Sequence, residues 1–134
     1  MTRSGGCLCG SVRYTLDTDP MAAAICHCRN CQKQSGSTRS VNWVLPRGAV
    51  QVEGDLATYE DRGDSGAAVL RQFCPNCGSA IRTLAESMPQ VEILKVGSLD
   101  ETPEIAPVAE IYMANAAGWE KTVATWPRLE RGQG

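Results

Sequence analysis

The clearest patterning in the chain is the two-residue alternation of a half-buried strand. Ser11-Val12-Arg13-Tyr14-Thr15-Leu16 sends polar and apolar side chains to opposite faces. Similar short runs recur at residues 41–45, 50–52, 69–73, 80–84, 91–96 and 108–112, and residues 22–28 read as a strand running into a turn. Turn-forming clusters separate them: Pro46-Arg47-Gly48, Glu53-Gly54-Asp55, Arg62-Gly63-Asp64 and Pro75-Asn76-Cys77-Gly78. Many short strands at such spacing predict an all-β fold of hairpins and small antiparallel sheets. One or two turns of helix fit residues 31–36, with a weaker candidate at 83–87. There is no long amphipathic helix, no phosphate-binding glycine loop and no solenoid repeat.

Composition narrows the class. A chain of 134 residues with 43% hydrophobic and 21% charged content fits one small domain spanning residues 1–134, fraying into a polar tail from about residue 128. With aromatics at only 5%, Trp43, Trp119 and Trp126 are needed for a core before they can be spared for a pocket. The net charge of −2 argues against binding nucleic acid by bulk phosphate neutralisation. No apolar run approaches the ~20 residues that span a bilayer. Met1-Thr2-Arg3-Ser4-Gly5-Gly6 lacks the apolar stretch of a secretory signal, so a cytosolic location is expected.

Cysteine changes the picture most. The seven cysteines are clustered: Cys7 and Cys9; Cys26, Cys28 and Cys31; Cys74 and Cys77. An odd number leaves one over from any complete set of disulfides. Neighbours two or three residues apart are poorly placed to bridge each other and well placed to point at one ion. In a reducing compartment such clusters read as metal ligation, and soft thiolates favour zinc. A closed structural zinc takes four protein ligands and an open one takes three, so seven cysteines suit two ions. Spacing alone leaves the division open. Cys28 and Cys31 can join Cys74 and Cys77 in a ribbon-like site, although the gap between those pairs is long for one. Alternatively the triplet stays together and the two doublets combine across the chain.

Cys26 and Cys28 share one face of the strand, and Cys28-Arg29-Asn30-Cys31 is a knuckle turn returning a third sulfur to them. His27, the only histidine, falls on the opposite face and is expected to be a neutral neighbour of the site rather than a ligand. Arg29, Lys33 and Arg39 cluster around the triplet, as a solvated face or as partners for substrate carboxylates. Ser35 and Ser37 suit turn formation or hydrogen bonding to substrate.

Three ordered motifs, Gly-Gly-Cys-Leu-Cys-Gly (5–10), Cys-His-Cys-Arg-Asn-Cys-Gln-Lys-Gln-Ser-Gly (26–36) and Phe-Cys-Pro-Asn-Cys-Gly-Ser (73–79), resemble those of the glutathione-dependent formaldehyde-activating enzyme family, which includes the centromere protein V domain. The likeness runs from about residue 4 to about residue 126. It implies a β-tent, the Mss4-like fold, with structural zinc on Cys7, Cys9, Cys74 and Cys77 and a catalytic zinc on Cys26, Cys28 and Cys31. Ile111-Tyr112-Met113-Ala114 departs from the Trp- and Ser-containing stretch of the family.

An open three-thiolate zinc lowers the pKa of a thiol in its fourth position. A thiolate beside an aldehyde attacks the carbonyl carbon. With glutathione and formaldehyde the product is S-(hydroxymethyl)glutathione, which makes the expected activity that of a carbon–sulfur lyase with a small-molecule thiol as partner. The competing reading is a zinc-stabilised binding module without catalysis.

Overall fold

The computed structural model describes residues 2–121; Trp126 and the tail from residue 128 lie outside the described residues. The strands are β1 (Arg3–Gly6), β2 (Arg13–Leu16), β3 (Ala22–Cys26), β4 (Ser40–Pro46), β5 (Gln51–Glu53), β6 (Ala57–Arg62), β7 (Ala68–Phe73), β8 (Ala80–Ala85), β9 (Val91–Lys95) and β10 (Ala109–Ile111), with one α-helix, α1 (Arg29–Ser35). The fold is all-β. No helix among the described residues is long and apolar enough to cross a membrane.

Two sheets form. One is three-stranded in the order β1-β2-β5, and the other is seven-stranded in the order β10-β3-β4-β9-β8-β7-β6. The second is larger than the small sheets expected, and it is not wholly antiparallel, because β10 lies parallel to β3 with Ile111 opposite Cys26.

Alternation gives the large sheet two different faces. One face carries Ala23, Trp43, Leu45 and Leu94. These meet Val12, Tyr14 and Leu16 from the small sheet in a shared core. Trp43 is fully buried, gives its indole N–H to the Ile105 carbonyl at 3.1 Å and lies 5.1 Å beneath the Arg3 guanidinium, a cation–π contact. The core also holds the carboxylate of Glu92, which accepts from the backbone N–H groups of Gly48 at 2.6 Å and Val50 at 3.2 Å. It thereby fixes the turn between β4 and β5.

Two strands escape the alternation rule. β1 is glycine-rich because the chain passes hard against its neighbours. A Cβ on Gly5 would lie 2.4 Å from both the Tyr14 hydroxyl and the Ser98 carbonyl oxygen. β6 reads Ala-Thr-Tyr-Glu-Asp-Arg and is largely exposed, as suits a polar edge strand. The helix candidate at 83–87 is instead strand through Ala85. The helix expected at 31–36 begins two residues earlier. The Cys28 sulfur caps its N-terminus by accepting from the Cys31 N–H at 3.2 Å, and Gly36, left-handed at φ 70°, ends it.

Candidate metal centres and the cavity between them

The Gly6–Val12 turn and the Cys74–Gly78 turn bring Cys7, Cys9, Cys74 and Cys77 together, their sulfurs all within 4.8 Å of one another. Cys7 and Cys9 sulfurs are 3.6 Å apart, and Cys9 and Cys74 are 3.8 Å apart. Those spacings are far beyond a disulfide bond, which is about 2.05 Å. They match the ~3.8 Å between sulfurs arranged tetrahedrally about an ion with Zn–S near 2.3 Å. The donor set therefore fits a closed thiolate site. The turn geometry is that of a knuckle: the N–H groups of Asn76 and Cys77 point at the Cys74 sulfur. Ser79 Oγ, 3.2 Å from the Cys77 sulfur, is the leading reason that thiol is drawn down to about 5. Ser11 does the same for Cys9, at 3.1 Å, bringing it to about 7.

The second cluster is Cys26, Cys28 and Cys31. Cys26 ends β3, Cys28 caps α1 and Cys31 sits in the first turn of α1. The same knuckle geometry repeats, with the Cys31 N–H on the Cys28 sulfur. Among the described residues, three donors converge here. His27 is fully buried and turned away, its Nε2 2.9 Å from Glu110 Oε1, so it does not complete a four-ligand set. The Cys31 thiol is drawn down to about 5, chiefly by the Cys26 thiol hydrogen-bonded to it. Burial opposes that ionisation, while the charges of Lys95 and Arg71 favour it. Cys26 is correspondingly pushed up. A three-thiolate set of this kind fits an ion with one position left for an outside ligand.

The triplet stands at one end of a cavity of about 450 Å³ on the outer face of the seven-stranded sheet. Two buried cations share that face. Arg71, on β7, pairs with Asp61 at 2.9 Å and places Nη1 3.9 Å from the Cys31 sulfur. Burial works against the Arg71 charge, but the Asp61 and Cys31 contacts outweigh it, and its pKa is raised. Lys95, on β9, gives hydrogen bonds to Ser40 Oγ at 2.9 Å and Asn42 Oδ1 at 3.2 Å. Its pKa is lowered, mainly by burial. Neither cation stands out in the sequence, because each occupies a strand position whose neighbours look like ordinary strand residues. Tyr112 borders the cavity with a left-handed backbone at φ 58°, uncommon for a non-glycine residue.

The basic residues that sequence proximity suggests are elsewhere. Arg29, Lys33 and Arg39 are exposed and absent from the cavity wall; Arg29 bonds its helix neighbour Gln32. Ser35 and Ser37 make local turn contacts only: the Ser35 hydroxyl gives to Gln32 O and accepts from the Ser37 N–H, and the Ser37 hydroxyl accepts from the Arg39 N–H. Trp119 is about half exposed.

A two-sheet β protein with a four-thiol cluster tying its sheets together and a three-thiol cluster at the end of a cavity belongs with thiolate-rich metal-type domains. Residues 2–115 match the model of the glutathione-dependent formaldehyde-activating enzyme family, and the chain belongs to that family. A Penicillium rubens protein named "Putative glutathione-dependent formaldehyde-activating enzyme" is 36% identical over 74 residues. That match covers 54% of this chain and 38% of the relative, so the chain spans well under half of the relative's length. A Rhodobacter sphaeroides protein of known crystal structure shares the fold, with a TM-score of 0.62 at 18% identity, covering 80% of this chain and 98% of that one.

Proposed function

We propose that this protein is a zinc-dependent carbon–sulfur lyase that makes and breaks thiol–aldehyde adducts, with glutathione and formaldehyde giving S-(hydroxymethyl)glutathione as the first pair to test. The observation that carries the reading is three cysteine sulfurs, and no fourth protein donor among the described residues, meeting at the end of a cavity. In this reading Cys26, Cys28 and Cys31 hold the catalytic zinc, and Cys7, Cys9, Cys74 and Cys77 hold a structural one in a single domain over residues 1–134. Free thiols suit a reducing compartment such as the cytosol.

Zinc at the triplet supplies acidification of a bound thiol. The chain's own residues supply the rest. The adduct forms when the thiol loses its proton and the sulfur lone pair bonds to the carbonyl carbon. The carbonyl π pair moves onto oxygen, and a proton ends there as the new hydroxyl. Lys95 has three N–H donors, two of them occupied by Ser40 and Asn42. The third is assigned to the oxygen as its negative charge grows, a stabilisation already built in before reaction. Arg71, held by Asp61, offsets the negative charge of the thiolates.

The test is exchange NMR of glutathione with formaldehyde, run without protein, with native protein and with Cys28→Ser. Spontaneous addition is read in the first arm. Acceleration by native protein alone is the expected result; equal rates in all three arms would remove this chemistry.

A further inference from the structure

The cavity is much longer than formaldehyde requires, and its chemistry is graded. Register aligns the wall into rows across the sheet. Nearest the triplet, Asn42 lies opposite Lys95, and Ser40 lies opposite Cys26. Two residues further along, Val44 lies opposite Ile93, which in turn lies opposite Thr83. Beyond these, Val69 lies opposite Ala85, with Met88 at the rim. Strand rise of about 3.3 Å per residue makes the distance from the first row to the third about 13 Å. A one-carbon hydroxymethyl group stays in the first row.

A volume of about 450 Å³ is in the roughly 300–1,000 Å³ range of pockets that enclose a whole small molecule. The far end gives a charged ligand little to hold. Of the charged groups along the wall, Arg71 lies opposite Thr83 at the β7 end of the second row and is committed to Asp61, Lys95 stands in the first row, and Asp64 is exposed; the third row carries none. Glutathione carboxylates placed against Val69 and Ala85 would be stripped of water without partners, which is costly. The far end therefore suits an uncharged arm attached to the reacting carbon.

We propose that the carbonyl half of the adduct carries an apolar substituent, aliphatic or aromatic, lying along the Val44–Ile93 and Val69–Ala85 rows. The proposal rests on the thiol–aldehyde reading above and names its substrate class as S-(1-hydroxyalkyl) thioethers larger than the hydroxymethyl one. The adduct forms as before: the thiol proton finishes on the carbonyl oxygen and one carbon–sulfur bond is made.

Unreactive thioethers test the arm separately from the chemistry. S-methyl-, S-butyl-, S-hexyl- and S-octylglutathione, the last long enough to approach the third row, are titrated into the metal-loaded protein by calorimetry. Affinity is expected to rise about fourfold per added methylene, the factor for burying one in an apolar site. In Ala85→Leu, which fills the third row, the octyl-to-methyl affinity ratio should fall at least tenfold. Met88→Ser alters an exposed rim side chain rather than the sheet interior, and should reduce the same ratio about fourfold if the first variant fails to fold. A flat series, bound or unbound, or a ratio unmoved in the folded variants would overturn the proposal. Exchange NMR with formaldehyde and butanal then separates the two readings. Acceleration of formaldehyde alone, with a flat thioether series, sinks the apolar arm and leaves the lyase standing. A rising series with neither aldehyde accelerated sinks the lyase and supports the apolar subsite alone.

Discussion

Arg71 joins Asp61 through a 2.9 Å ion pair while the other side of its guanidinium reaches the Cys31 sulfur. One buried cation thus connects the edge strand β6 to the cysteine triplet. Asn30 of α1 donates to the same Asp61 carboxylate at 3.0 Å, so the carboxylate pins helix and strand together. Asp61→Ala leaves a buried guanidinium without its carboxylate and should cost about 1–3 kcal/mol of stability. A lower urea midpoint at unchanged slope checks this. Equal midpoints for variant and parent would mean that solvent replaces the pair without penalty.

The two thiol clusters should respond differently to loss of one sulfur. Cys74 is completely buried at the junction of the sheets, and Cys74→Ser should abolish the cooperative thermal transition. Cys28→Ser should keep that transition and lose one of two bound zinc ions. Circular dichroism melts with a colorimetric metal count separate the cases. On the same reasoning, a mild chelator should strip one zinc per chain before ellipticity changes.

Lys95→Met removes the donor assigned to the adduct oxygen while keeping most of the side chain's bulk. Its effect should fall on kcat rather than KM, by about 10²–10³-fold, as for loss of one preorganised oxyanion donor. Lys95→Arg should restore part of the rate. A change in KM alone would place Lys95 in binding instead.

Gly5→Ala puts a methyl group where the Tyr14 hydroxyl and the Ser98 carbonyl oxygen now stand. Overpacking of this kind costs about 1–3 kcal/mol, readable as a lowered melting temperature. No shift would show that the three-stranded sheet can move away from the turn at Val96–Ser98 without strain.

Acid stability should depend on Asp100. Arg13 and Ser4 hydrogen bonds hold its carboxyl down from 3.8 to about 2. A carboxyl depressed on folding stabilises the protein above its unfolded pKa, and that contribution fades as pH falls from about 4 through 2. Arg13→Gln should flatten this limb by lowering stability at neutral pH while leaving stability below about pH 2 unchanged. Parallel acid titrations of variant and parent decide it; coincident curves would discount the pair.

The strands with clean alternation were legible in the sequence because one face of each is buried and the other is not. Trp43 and Leu45 mark β4 in this way. β1 and β6 were not legible, for opposite reasons: Gly5 is in β1 for lack of a side chain, and the polar β6 is an edge with little to bury. The 83–87 segment read as helix because local propensity carries no information on the pairing of Thr83 with Ile93. At the site, cysteine spacing exposed the clusters, but nothing local marked Arg71 or Lys95. Their importance comes from strand order, which brings Arg71, 40 positions from Cys31, and Lys95, 64 positions from it, into one cavity wall; Arg29 and Lys33, beside the triplet in sequence, face solvent instead.

Because β4 and β9 separate core from cavity at every other position, neighbouring residues answer to different physical demands. Trp43, Leu45 and Leu94 carry the weight of folding, while Asn42, Val44, Ile93 and Lys95 line the chamber. A library restricted to Val44 and Ile93 can diversify what the protein accepts with little trespass on its stability, so one strand holds the fold on one side and can be rewritten on the other.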